Sequence, residues 1–200
     1  MNVYCVQFDS EWNDKDKNFS TVSALLNQHS IEEESLIVLP EMFATGFCLN
    51  PKLTTENEPD KTENFLSKLA KQKKSWVIGG MCHPSEKDEM AYNTAVTFNP
   101  SGECISVYRK IHPIPALGED QFHLLGDAVE SLALNSLKFT PAICYDLRFP
   151  ELFRTGLSLG SNLFVVLGCW PKTRIEHWVT LLKARAIENQ AYMIGVNRVG

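Results

Sequence analysis

Leu36-Ile37-Val38-Leu39-Pro40-Glu41, residues 36–41, is an unbroken apolar run closed by proline and followed by a carboxylate. A strand with one wet face alternates apolar and polar side chains. A strand apolar at every position instead belongs in a sheet covered on both faces, as in layered α/β folds. Pro40 lacks the N–H that a ladder requires, so it marks the strand's end. Glu41 stands just beyond that end.

Outward from this strand, apolar bursts alternate with helical stretches, which predicts an α/β layered fold. Val3 to Phe8 reads as a first strand, and Asn18 to Gln28, with Phe19, Val22, Leu25 and Leu26 on one face, as a helix. A helix from about Lys61 to Lys74 leads into a strand from Trp76 to Met81. Tyr92 to Phe98 and Cys104 to Tyr108 make a hairpin over Asn99-Pro100-Ser101-Gly102, where proline presets a turn φ and glycine supplies the permissive exit. Ile111 to Asp127 reads as a long surface loop with room for one short helical turn; loops of this length in compact domains are often functional.

Further along, Leu137 to Ile143 is a strand, and Pro150-Glu151-Leu152-Phe153-Arg154 opens a helix that Gly160 stops. Leu163 to Leu167 is a buried strand. Thr173 to Asn189 is a long helix carrying Ile175, Trp178, Val179, Leu182 and Ala186, and Ala191 to Val196 a last strand. No repeat or flexible linker interrupts the pattern. With 44% hydrophobic side chains, residues 1–200 are expected to form a single domain.

The formal charge of −5 argues against a nucleic-acid partner, which would need clustered Lys and Arg. The one basic cluster, Lys68 to Lys74, lies on a stretch where Phe65, Leu66 and Leu69 have helical spacing, so it reads as a solvated helix face. Met1 to Gln7 is no basic leader ahead of a long apolar run, and no segment approaches about eighteen apolar residues, so no membrane partner and a cytoplasmic location are expected. The six cysteines are irregularly spaced without a C-x-x-C pair, which favours reduced thiols, and Cys82-His83 is adjacent rather than spaced for zinc, so no metal is expected.

Three groups of different chemistry each follow an apolar strand: the carboxylate of Glu41, the ammonium of Lys110 and the thiol of Cys144. Layered α/β folds gather ligands beyond the carboxyl ends of their strands. A thiol attacks carbonyl carbon as thiolate; a nearby ammonium favours that charge and a carboxylate can accept the proton. Lys110 and the backbone N–H of Tyr145 would stabilise the oxyanion, and Glu41 would serve as general acid and base, with no metal or organic cofactor needed. A Cys-His alternative would use His112, His123 or His177, but leaves the carboxylate and the lysine unexplained.

The local words around these residues carry a resemblance. Leu36 to Phe43 followed by Thr45-Gly46-Phe47, then Tyr108-Arg109-Lys110-Ile111-His112, then Ile143-Cys144-Tyr145-Asp146-Leu147-Arg148-Phe149-Pro150-Glu151-Leu152, resemble the glutamate, lysine and nucleophile motifs of the nitrilase superfamily, in its order. Gly118-Glu119, where the family often has a second glutamate, and Ala184-Arg185-Ala186-Ile187-Glu188-Asn189 extend the resemblance across nearly the whole chain.

The resemblance implies a nitrilase-like αββα four-layer sandwich and a Glu41, Lys110, Cys144 catalytic set assisted by Glu119. It further implies hydrolysis of a small non-peptide amide and association as a homodimer. The Cys-Tyr-Asp-Leu-Arg-Phe-Pro form is most similar to the omega-amidase branch, which releases ammonia from 2-oxo acid amides such as 2-oxoglutaramate. Phe43, Phe122 and Trp170 are the candidate substrate-binding walls, whereas Asp146, Arg148, Arg185 and Glu188 read as internal hydrogen-bonding or ion-pair residues. Family chains continue past Gly200, so the C-terminal strands of the sandwich are expected to be missing. Two alternatives stay open: a nitrile or N-carbamoyl hydrolase with the same catalytic set, and a non-catalytic interaction module keeping the motifs by descent.

Overall fold

The apolar run at Leu36 becomes the second strand of a sheet buried on both sides. The computed structural model describes residues 1–55, 61–87 and 89–200. Among these, nine strands form two sheets. The first holds β1 (Val3–Cys5), β2 (Leu36–Val38), β3 (Trp76–Pro84), β4 (Ala91–Phe98) and β5 (Cys104–Arg109) in that order; β1, β2 and β3 run parallel and the last two pairings are antiparallel. The second holds β6 (Leu132–Leu134), β7 (Leu137–Ile143), β8 (Leu163–Gly168) and β9 (Tyr192–Asn197), with β6 antiparallel to β7 and the rest parallel.

Side-chain parity assigns the layers. Ile37, Val77, Val96 and Phe98 pack with Val22, Leu26, Leu66 and Leu69 from the helices α1 (Lys15–Asn27) and α3 (Lys61–Lys73). Their neighbours Leu36, Val38, Ile78 and Ala95 point the opposite way and meet Phe139, Ile143, Val165 and Leu167 of the second sheet. That sheet's other face takes Leu152 and Phe153 of α4 (Pro150–Ser158) and Trp178 of α5 (Ile175–Asn189). The result is the αββα order, and both inner strands of the sandwich are apolar at consecutive positions because each touches a different layer on each face.

Boundaries differ from the sequence reading where polar chemistry, rather than apolar period, sets them. The first helix begins upstream of Asn18 because the Asp14 side chain caps it by accepting from the Lys17 N–H. The four-residue helix α2 (Pro51–Thr54), capped by Asn50, and the short strand β6 were not legible as periodic segments. A tight turn at Asn135, φ +51°, joins β6 to β7. The loop from Ile111 to Asp127 contains two 3-10 turns, Pro115–Leu117 and Glu119–Gln121. In α5, only Trp178 of the predicted apolar face is buried, together with Arg185 and Asn189; Ile175 and Val179 are exposed. Lys68, Lys71 and Lys74 are exposed, as a solvated helix face requires. Among the described residues no helix is long and apolar enough to cross a membrane.

Candidate active site

Strand polarity gathers the chemistry at one end of the sandwich. Because β3, β4 and β5 alternate in direction, β5 runs with β1, β2 and β3, so Glu41 and Lys110 leave the same edge. The antiparallel β4 starts where β3 ends, which puts Asn93 at that edge too, its carbonyl accepting from the Lys110 N–H at 2.8 Å. Cys144 and Cys169 follow the neighbouring parallel strands β7 and β8. Cys169 ties the sheets together: its N–H donates to Glu41 Oε2 at 2.9 Å, and its thiol to the Glu41 carbonyl at 3.1 Å.

The Lys110 Nζ donates to Glu41 Oε1 at 2.9 Å and to both Glu119 oxygens at 2.9 and 2.8 Å, with all three residues no more than 1% exposed. Asn93 Nδ2 bridges the two carboxylates, donating to Glu41 Oε1 at 2.8 Å and Glu119 Oε1 at 2.9 Å. The Ile114 N–H donates to Glu119 Oε2 at 2.7 Å, so the same carboxylate that clamps the ammonium pins the long loop. Burial alone would depress the Lys110 ammonium, but the Glu41 and Glu119 carboxylates outweigh it and hold its pKa above the ordinary lysine value. Burial would likewise raise the Glu119 carboxyl; the Lys110 charge and hydrogen bonds from His123, Lys110 and Asn93 pull it below the usual carboxylate range instead.

Cys144 occupies the left-handed region, φ +48°, where β7 breaks into a 3-10 turn over Cys144–Arg148. Met42, beside Glu41, has φ +46°. Each such non-glycine conformation costs about 1–3 kcal/mol and persists only where the surroundings over-determine it. Around Cys144 the fixing group is Asp146, fully buried: its Oδ2 accepts from the Ile143 N–H at 2.9 Å and the Tyr108 hydroxyl at 2.7 Å, and its Oδ1 from the His112 N–H at 2.9 Å. Burial, then the Glu41 carboxylate, push the Cys144 thiol well above its ordinary pKa, while Lys110 and the Cys169 N–H pull the other way. The resting sulfur therefore keeps its proton until a base takes it. The Tyr145 N–H, in the first turn after Cys144, has no partner within that turn.

A cavity of about 230 Å³ opens over Cys144, lined by Phe47, Ile114, Leu117, Tyr145, Cys169 and Trp170, with Arg148 and Arg174 at its wall. The structure thus brings together Glu41, Lys110 and Glu119 by direct hydrogen bonds and sets Cys144 within electrostatic reach of Glu41 and Lys110. Trp170 lies in the cavity wall, its backbone N–H held by Asn197 Oδ1 at 2.6 Å. Phe43 does not line the cavity: the turn after β2 places it, fully buried, in the cluster on the helix side of the first sheet, its ring centroid 6.0 Å from Phe19 and 6.1 Å from Phe65. Phe122 is 38% exposed and borders a separate surface cleft with Pro51 and Lys52. Arg148 hydrogen-bonds His177 Nδ1 at 3.3 Å and also stacks over the Trp170 ring at 4.8 Å, so its partners are an imidazole and an indole rather than a carboxylate. Phe47, within the quoted Thr45-Gly46-Phe47 word, and Asn93, a polar residue inside an apolar strand, were the signals in the sequence for the residues that reading passed over.

Gly80 sets the position of Glu41. A Cβ there would lie 2.6 Å from Glu41 Cα and 2.8 Å from Met42 N and Pro40 O, all backbone atoms. Gly80→Ala should therefore destabilise the fold by about 1–3 kcal/mol. Thermal unfolding would show it as a fall in Tm of roughly 2–4 °C per kcal/mol, and turnover measured at a temperature where the variant stays folded should drop because Glu41 moves. An unchanged Tm would mean the backbone contact is absent.

The carbon-nitrogen hydrolase family model matches residues 2–200. A hydrolase in the agr operon of Staphylococcus aureus is 35% identical over 100% of this chain and 77% of its own length. A 2-oxoglutaramate amidase of Paenarthrobacter nicotinovorans is 36% identical over 98% and 69%, and the omega-amidase YafV of Yersinia enterocolitica 37% identical over 94% and 71%. In structure, the CN-hydrolase superfamily protein XC1258 of Xanthomonas campestris, solved with an arsenic adduct in its active site, superposes with TM-score 0.90 at 28% identity, covering 99% of this chain and 76% of that one. With strand ends, buried ion cluster and elbow cysteine arranged as described, and relatives of this similarity along nearly its full length, the chain belongs to the carbon-nitrogen hydrolase family, within the nitrilase superfamily.

Proposed function

We propose that the protein is an omega-amidase, hydrolysing a small amide that carries a carboxylate, such as 2-oxoglutaramate, through a Cys144 thioester. The observation that carries the acidic-substrate reading is the pair Arg148 and Arg174 in the wall of the Cys144 cavity. Among the described residues no carboxylate ion-pairs with either guanidinium. Cations left without counter-ions in a cavity are natural anchors for an anionic ligand, and a guanidinium presents its N–H groups in a fork that matches a carboxylate. The cavity volume lies below the roughly 300 Å³ at which drug-sized ligands begin to fit, which favours a short substrate.

In this mechanism Glu41 takes the Cys144 proton as the sulfur attacks the amide carbon. The oxygen's developing charge falls between Lys110 Nζ and the Tyr145 N–H. Glu41 then returns the proton to the departing nitrogen, releasing ammonia, and deprotonates the water that cleaves the thioester. Glu119 holds Lys110 in place through its two hydrogen bonds, so it acts as a positioning residue. The relatives that act as 2-oxoglutaramate amidase and omega-amidase support the same substrate class.

Arg174→Ala tests the reading. Its side chain can be removed without losing the Trp170 Nε1 hydrogen bond to its backbone oxygen. Removing a charged hydrogen bond costs about 1.5–3 kcal/mol, so kcat/KM for 2-oxoglutaramate should fall about 10- to 100-fold, mainly through KM. Hydrolysis of a neutral amide such as propionamide should be little altered. Equal losses on both amides would refute the carboxylate contact.

A further inference from the structure

We propose that Cys169 is a resolving thiol for Cys144, so that a hydroperoxide converts the pair into an intramolecular disulfide and reversibly closes the active site. Of the six cysteines, only Cys144 and Cys169 line this cavity. The parallel register of β7 and β8 ends with Ile143 paired to Leu167, so Cys144 stands one residue and Cys169 two residues past that last pair, at adjacent strand ends. Continued past that pair, strands about 4.8 Å apart with a rise of about 3.3 Å per residue would put the two Cα atoms about 6 Å apart. That is inside the range of about 4.4–6.8 Å which a disulfide spans. Both residues line the same cavity, and the Cys144 thiol lies within electrostatic reach of Cys169.

Cys169 is also free to turn. Its thiol donates to one backbone carbonyl, that of Glu41 at 3.1 Å, and its residue is part-exposed at the cavity wall, where a small peroxide reaches it. The position follows a strand end, where the sulfur has no packing role of its own: it is absent from the three buried clusters that make the core.

The chemistry balances with hydrogen peroxide, or an organic hydroperoxide, as oxidant. Glu41 takes the Cys144 proton, in the role it has above, and the sulfur attacks one peroxide oxygen. The O–O bond breaks, the proton passes to the departing hydroxide as water, and Cys144 becomes a sulfenic acid. The Cys169 sulfur then attacks the sulfenic sulfur; the S–O bond breaks and the hydroxide leaves with the Cys169 proton as a second water. Two thiols lose two electrons, and the peroxide gains them. Without a neighbouring thiol the sulfenic acid would proceed irreversibly to sulfinic acid.

The test is intact mass and peptide mapping after treatment with a few equivalents of hydrogen peroxide. This readout needs no amide turnover, so it stands or falls separately from the proposed amidase activity. The wild type should become about 2 Da lighter, give one cross-linked peptide pair containing Cys144 and Cys169, and return to its starting mass with dithiothreitol. Cys169→Ser should instead gain about 32 Da at Cys144, and dithiothreitol should not reverse it. Cys144 oxidised to sulfinic acid in the wild type, a cross-link from Cys144 to any other cysteine, or equal reversibility in the wild type and Cys169→Ser would each overturn the proposal. The wild-type masses decide the matter even if the variant does not fold.

Discussion

Cys144→Ala should abolish amide hydrolysis, lowering kcat by about 10⁴-fold or more, the scale on which deletion of a nucleophile acts when catalytic groups work as a unit. The loss would be chemical rather than structural. Asp146, not the thiol, holds the elbow, through its bonds to Ile143, Tyr108 and His112, and alanine tolerates the φ of +48° no worse than cysteine does. Tm should therefore stay close to that of the wild type. The sharper measurement is intact mass after rapid acid quench of enzyme with substrate: the wild type should carry an acyl adduct and Cys144→Ala none. Ammonia release by Cys144→Ala at the wild-type rate would end the thioester mechanism.

Glu41→Gln is the second large effect. The Glu41 carboxylate accepts from Lys110 and Asn93 on one oxygen and from the Cys169 N–H on the other, so every neighbour along its two oxygens is a donor. A carboxamide must present its own N–H₂ to one of those donors, and it can neither take the Cys144 proton nor return one to the leaving nitrogen. Loss of general acid–base catalysis is worth about 10²–10⁴-fold, and with the mispaired amide added kcat on amides should fall about 10³-fold or more, about 4 kcal/mol in barrier. An ester of the same acid with a good leaving group needs no protonation of that group. Its hydrolysis should suffer less than the amide's, because the leaving-group step is spared and only proton removal from the thiol and from the water that cleaves the thioester is impaired. Equal loss on amide and ester would remove Glu41 from the leaving-group step.

The pattern of what was legible beforehand follows from how far each interaction reaches along the chain. The strand at Leu36, the hairpin over Asn99 to Gly102 and the helix opened by Pro150 are written in periods and turn residues a few positions long, and the structure has each of them. Helix starts set by a cap, such as Asp14, and strands of three residues, such as β6, carry too little local periodicity to show. In the site, Glu41, Lys110 and Cys144 stood out because each follows an apolar strand within a recognisable word. Asn93, Cys169 and Arg174 did not, since their meaning depends on which strand ends lie beside them.

By itself the sequence determined the class of fold and the family, and singled out three candidate reactive groups, because apolar runs, turn chemistry and short motifs are properties of neighbouring residues. Only the tertiary structure decided that Phe43 belongs to the core and Phe47 to the cavity, and that Glu119 clamps the lysine. It also decided that two arginines without carboxylate partners among the described residues line the same cavity as the elbow cysteine. Those facts arise where strand direction and side-chain parity bring residues far apart in the chain to a common edge, and no local pattern records which face a side chain takes once the two sheets have closed on each other.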